Sequence, residues 1–182
     1  MTDIIDIRAL VHPAFEAARF IGTKWDTAAD KAAFANDLCR FIAADFAPRM
    51  FTQKLYRRLA LTFGHIAHCS RDGFGSEFFQ DTSGKVAFLE QTLAWIPCGD
   101  PAWTWCDIER AVQKRLRACQ LLPAYRSRRA AEIDAAERGL LRRLQAKFQP
   151  GATPIEPPTI LAPPPTRRPR AGDRNTAQST LL

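Results

Sequence analysis

Apolar residues recur at three- and four-residue intervals along the chain until about residue 149, and this spacing predicts a succession of amphipathic helices. Thr27-Ala28-Ala29-Asp30 reads as an N-cap with an acidic residue at the third helical position. Behind it Phe34, Leu38, Cys39, Phe41 and Ile42 keep helical spacing to Phe46, and Pro48 ends the run. A second helix is predicted from Thr52 to Cys69, with Leu55, Leu59, Phe63 and Ile66 on one stripe. Ser70-Arg71-Asp72-Gly73 reads as a turn after it, and Ser76 to Phe79 as one helical turn. Ser83 opens a helix through Val86, Phe88, Leu89, Leu93 and Ile96 that Pro97 stops. Asp100-Pro101 reads as an N-cap with proline at the first helical position of a helix reaching Leu122. Its apolar stripe is Trp105, Ile108, Val112, Leu116 and Cys119. Pro123 restarts the chain into a last helix through Ile133, Leu140, Leu141 and Leu144 to Phe148, and a further helix is predicted around Pro13 to Ile21. No sustained alternation or Asn-Gly hairpin predicts a sheet. The expectation is an all-α single domain of five or six helices over residues 1–149.

The pattern stops at residue 150. Eight of the 13 prolines lie between Pro150 and Pro169, where proline removes amide donors and disfavours helix in the preceding residue. Residues 150–182 are therefore predicted to form a disordered Pro/Arg-rich tail with polyproline stretches, carrying Arg167, Arg168, Arg170 and Arg174. No apolar run approaches the roughly 18 residues of a membrane span. Met1–Asp6 carries neither a basic nor an apolar signal segment, so a cytoplasmic, membrane-free protein is expected. The five cysteines, Cys39, Cys69, Cys98, Cys106 and Cys119, are odd in number and contain no CxxC. They read as small apolar residues rather than a disulfide or zinc framework.

Charge adds an asymmetry. Residues 1–107 hold 11 Lys+Arg and 13 Asp+Glu, residues 108–149 hold 11 and 4, and the tail adds four Arg against Glu156 and Asp173. The net charge of +7 thus lies in the last two helices and the tail. Such a block attracts phosphates or an acidic protein face. On the helix from Pro101 to Leu122, Trp103 faces away from the apolar stripe and stands beside Arg110, Lys114 and Arg117. Cations for phosphates beside a ring for base stacking suit a nucleic-acid surface. With Arg115 on the same helix and Arg126, Arg128 and Arg129 on the next, these residues form the candidate binding site.

Other chemistry is sparse. His65, His68 and Cys69 lie within two turns of the predicted Thr52–Cys69 helix, a spacing open to a metal or a small catalytic site. Lys54 and Arg58 share their flank, and no further ligand stands at a telling distance. Gly73-Phe74-Gly75 lacks the preceding strand and following Lys-Ser/Thr of a phosphate loop. No metal and no cofactor is expected. The segment Leu55-Tyr56-Arg57-Arg58-Leu59-Ala60-Leu61-Thr62-Phe63-Gly64-His65-Ile66-Ala67-His68, with Asp72-Gly73-Phe74 and Phe78-Phe79, resembles uncharacterised small proteins encoded on bacterial plasmids and other mobile elements. That resemblance implies an accessory role in transfer, maintenance or defence interference and names no activity.

Three functions are therefore open. The first is a non-enzymatic protein engaging nucleic acid through the basic helical pair. The second is an adaptor or inhibitor binding an acidic protein by the same surface. The third is a small enzyme around His65, His68 and Cys69.

Overall fold

Thr27, Thr52, Ser70 and Asp81 each place a side-chain oxygen at the start of a helix, and those four caps set the beginnings of four successive helices. The structure is a computed structural model that describes residues 7–65 and 70–148. The described residues form α1 (Ile7–Val11), α2 (Ala28–Ala43), α3 (Gln53–Leu59), α4 (Arg71–Phe78), α5 (Thr82–Ala94), α6 (Cys106–Ala118) and α7 (Leu121–Lys147). Short 3₁₀ turns lie at Ala17–Arg19 and Pro48–Met50. No strand occurs among the described residues, so the all-α class is as predicted. The chain divides into two compact units, Met1–Arg142 and Arg143–Leu182. In the second unit the described residues are the end of α7 and Phe148. The predicted tail, 150–182, lies outside the described residues.

In the first unit α2 packs against α1, α3 and α6, while α5 packs against α4 and α6. The capping box at Thr27 is complete: Asp30 N–H donates to Thr27 Oγ1 at 3.1 Å, and Thr27 N–H donates to Asp30 Oδ2 at 3.0 Å. The Thr27 hydroxyl and backbone N–H together hold the Asp30 carboxyl below its ordinary range. Of the residues expected in the core, Phe34, Leu38, Phe41, Leu55, Leu59, Phe63, Leu89, Val112 and Leu116 are buried, and Leu93 is half-buried against them.

Aromatic rings fill the space between α2, α4 and α5. Phe46 stacks on Phe79 at 5.1 Å, Phe41 stacks on Phe51 at 5.4 Å, and Phe79 meets Phe88 edge-on at 5.2 Å. Phe46 reaches this cluster because α2 ends in two left-handed residues, Asp45 (φ 54) and Phe46 (φ 59). Neither is a glycine, so the turn carries a conformational cost. Hydrogen bonds from Asp45 N–H to Ile42 O and from Phe46 N–H to Phe41 O close it. The Asp45 carboxylate then ties three elements: it accepts from Tyr125 Oη at 2.6 Å and pairs with Lys85 at 3.0 Å and Arg128 at 3.2 Å.

The helix expected around Pro13 to Ile21 does not form: only the 3₁₀ turn at Ala17–Arg19 lies there, and α1 precedes it at Ile7–Val11. Three further helices differ from expectation. The predicted Thr52–Cys69 helix stops at Leu59, because the buried Glu109 carboxylate of α6 accepts the Phe63 N–H at 2.9 Å and holds Phe63 at φ 52. Gly64 follows at φ 72, and a Cβ there would lie 2.7 Å from the Trp95 ring. The turn expected at Ser70–Gly73 is the first turn of α4, because Ser70 Oγ accepts the Gly73 N–H at 3.1 Å and so caps a helix there. Phe74 and Phe78, one turn apart, bury that helix in the ring cluster. Gly84 lets α5 approach α4: a Cβ there would lie 2.5 Å from Glu77 O. The third is α6, which begins at Cys106 and not at Asp100.

Leu59→Ala should lower stability by roughly 2–5 kcal/mol in urea denaturation, since Leu59 is fully buried and leaves a cavity. Burial pushes the Asp45 carboxyl up, but its bonds to Tyr125, Lys85 and Arg128 outweigh burial and hold it below its ordinary value. A depressed carboxyl contributes stability above its unfolded pKa, about 4, and that contribution is lost as pH falls through the folded value. Melting temperatures measured from pH 7 to pH 2 should therefore fall less steeply below about pH 4 in Asp45→Asn than in the native chain.

Candidate binding surfaces

The loop before α6 is organised by one buried cation. Lys31 stands on the core face of α2 with 0% exposure, and its ammonium donates to Pro101 O at 2.9 Å, Thr104 O at 2.9 Å and Asp107 Oδ1 at 3.0 Å. The ammonium gives both carbonyls a donor outside the helix ladder. With them taken, residues 100–105 form a turn closed by Trp103 N–H to Asp100 O and by Ala102 N–H to Asp100 Oδ1. Asp107, in the first turn of α6, also accepts the Ile21 N–H at 3.1 Å, which ties the start of α6 to the loop before α2.

Trp103 therefore stands on a loop and not on the α6 face beside Arg110, Lys114 and Arg117. It is 61% exposed and meets Trp25, 71% exposed, edge-on at 6.3 Å. Lys24 lies 6.0 Å from the Trp25 ring. Behind this pair Trp105 Nε1 donates to Asp26 at 3.2 Å, and the Arg58 guanidinium covers the Trp105 ring at 4.9 Å while pairing with Asp26.

The arginines of α6 close other helices. Arg115 donates to Leu10 O and Pro13 O at 3.3 and 2.8 Å and lies 3.6 Å from the Phe15 ring, so it caps the end of α1. Arg117 donates to Leu93 O at 2.8 Å, and Gln113 donates to Thr92 O and Trp95 O at 2.8 Å each. Together they cap the end of α5. Arg110 reaches Pro97 O at 3.4 Å. Cations at helix C-termini favour the dipole and satisfy carbonyls left open there. Lys114 is exposed and makes no ion pair among the described residues.

Helix α7 changes character along its length. Leu121 and Tyr125 are buried, Arg126 pairs with Glu90 at 2.7 Å, and Arg128 pairs with Asp45 and Glu132. From Arg126 to Arg142 every residue except the half-buried Gly139 is exposed. Ile133, Leu140 and Leu141 are 46%, 51% and 54% exposed. Arg129, Arg138 and Arg142 accompany them without an acidic partner among the described residues. The sequence ran the last helix through Ile133, Leu140 and Leu141 without saying which face they take. In the structure the face of α7 that docks carries Leu121 and Tyr125.

His65 is fully buried, stacked on Phe88 at 5.0 Å and 3.3 Å from Thr92 Oγ1. His68 and Cys69 lie outside the described residues. Among the described residues no three His, Cys, Asp or Glu side chains cluster as metal ligands. Burial pushes the Cys39 thiol up to about 12, which removes its thiolate at neutral pH. An open depression of about 450 Å³ over Phe46, Phe51 and Phe79 has Arg71, Asp72 and Gln80 at its rim, and neither a histidine nor a cysteine lines it.

Lys31 and Trp25 were not singled out in the sequence, although a lone lysine at a core-facing position of α2 was visible there. The chain matches no family model, no curated protein and no solved structure. No helix is long and apolar enough to cross a membrane among the described residues.

Lys31→Met should destabilise the chain by about 3 kcal/mol, because it leaves two carbonyls and the Asp107 carboxylate without their cation. Thermal unfolding followed by circular dichroism measures this, and Lys114→Met, at an exposed site, should leave the transition within about 0.5 kcal/mol.

Proposed function

We propose that this chain is a non-enzymatic adaptor or inhibitor that binds an acidic protein through the exposed stretch of α7. The observation that carries this reading is the exposure of Ile133, Leu140 and Leu141 on a helix that also presents Arg129, Arg138 and Arg142. An exposed aliphatic stripe has no use on a phosphate backbone, whereas it suits a helix-in-groove or helix–helix interface. The uses found for Arg110, Arg115 and Arg117 also favour protein over nucleic acid, because those cations already serve backbone carbonyls. A cytoplasmic accessory or counter-defence role on a mobile element is the setting in which such an adaptor would act. The nucleic-acid reading rests on a different observation, the exposed Trp25–Trp103 pair with Lys24 beside it.

Isothermal titration calorimetry separates the two. The full chain should bind a synthetic amphipathic helix with an acidic rim, and Leu140→Asp should weaken that binding at least about thirtyfold, as loss of a hot spot of about 2 kcal/mol does. A single-stranded oligonucleotide should bind no better to the native chain than to Trp103→Ala. Tight oligonucleotide binding that Trp103→Ala abolishes, with no binding of the peptide, would replace the adaptor reading with the nucleic-acid one.

A further inference from the structure

The exposed stripe of α7 is interrupted by a carboxylate. At about 100° per residue, Glu137 stands about 40° from Ile133 and about 40° from Leu141, with Leu140 about 60° away on its other side. All four side chains are exposed. Around the helix, Arg129 lies about 20° beyond Leu140 and Asp134 about 20° beyond Leu141, while Arg138 and Arg142 lie about 100° and 140° from Glu137. A partner that covers Ile133, Leu140 and Leu141 must therefore also cover Glu137. Nothing on this helix face compensates it, and among the described residues no ion pair holds it.

We infer that Glu137 selects the partner: the segment that docks on this stripe carries a single Lys or Arg set among its apolar contacts, opposite Glu137, within an otherwise acidic rim. The inference rests on the adaptor reading above and names the chemistry of its partner. A carboxylate dried by an apolar surface loses its hydration without return, and only a cation or several donors at contact distance offset that loss. One polar position in an apolar seam thus fixes register and rejects partners that lack the complement. The rim supplies the rest of the pattern, since Arg129, Arg138 and Arg142 favour acidic residues at the periphery of the partner, where screening makes each contact weak. A plain leucine-faced helix satisfies the stripe and fails at Glu137.

Two synthetic helical peptides test this on the full chain. Both have a leucine face and glutamate flanks; in one, a lysine replaces the central leucine. The native chain should prefer the lysine-bearing peptide by about tenfold or more in calorimetry, and Glu137→Leu should reverse the preference. Circular dichroism should show both chains equally helical. Equal binding of the two peptides by the native chain, with Leu140→Asp weakening both, would overturn the role of Glu137 and leave α7 as a docking helix. Failure of both peptides to bind would overturn the docking reading together with it. Sedimentation showing that the chain pairs with itself through Leu140 would assign the stripe to a second copy and likewise overturn the inference.

Discussion

The ammonium of Lys31 is the contact on which the arrangement of the first unit turns. It is the one charge with no exposure among the described residues, and it binds two carbonyls of the loop before α6 and the Asp107 carboxylate in the first turn of α6. One side chain of α2 thus holds the start of α6 in place. It also sets which way Trp103 faces, and through Asp107 it fixes the backbone at Ile21. Desolvating an ammonium is costly, and full coordination is what makes the burial tolerable. A hydrophobic residue at position 31 could fill the volume but would leave those oxygens without their three bonds.

A related economy governs the basic helices. The excess positive charge of residues 108–149 invites a polyanion, yet much of it is spent on closing the protein itself. Arg115 and Arg117 each serve the carbonyl end of another helix, and Arg126 and Arg128 pair with Glu90 and Asp45. An arginine fork can do this because it offers several donors in one plane and a flat face for a ring, as Arg115 shows against Phe15. What remains for a partner is the stretch of α7 beyond these pairs. There exposed cations and aliphatic side chains share the same turns of one helix.

Local patterns in the sequence were enough for the helical class, the cap at Thr27, the start of α3 near Thr52 and the buried faces of α2, α5 and α6, because those depend on spacing within one helix. The breaks were not legible there. The end of α3 depends on Glu109, 46 residues from Phe63, and the start of α6 depends on Lys31, 70 residues from Pro101. Periodicity carries no signal of an oxygen or a cation arriving from so far away. The same blindness moved Trp103 from a helix face to a loop and left its neighbour Trp25 unnoticed. The candidate cations fared similarly: their charge was countable, but whether each met a carbonyl, a carboxylate or water required the fold.

The ring cluster has a consequence for how the molecule can be watched. Both tyrosines, Tyr56 and Tyr125, belong to it, through contacts with Phe74 and Phe46. The four tryptophans are placed elsewhere: Trp25, Trp103 and Trp105 around the loops that Lys31 organises, and Trp95 over Gly64. The chain therefore carries two optical reporters in separate places. Emission from the exposed Trp25 and Trp103 follows the loops at the start of α2 and α6, while tyrosine absorbance follows the phenylalanine core; Trp95 and Trp105, packed against that core, join the two.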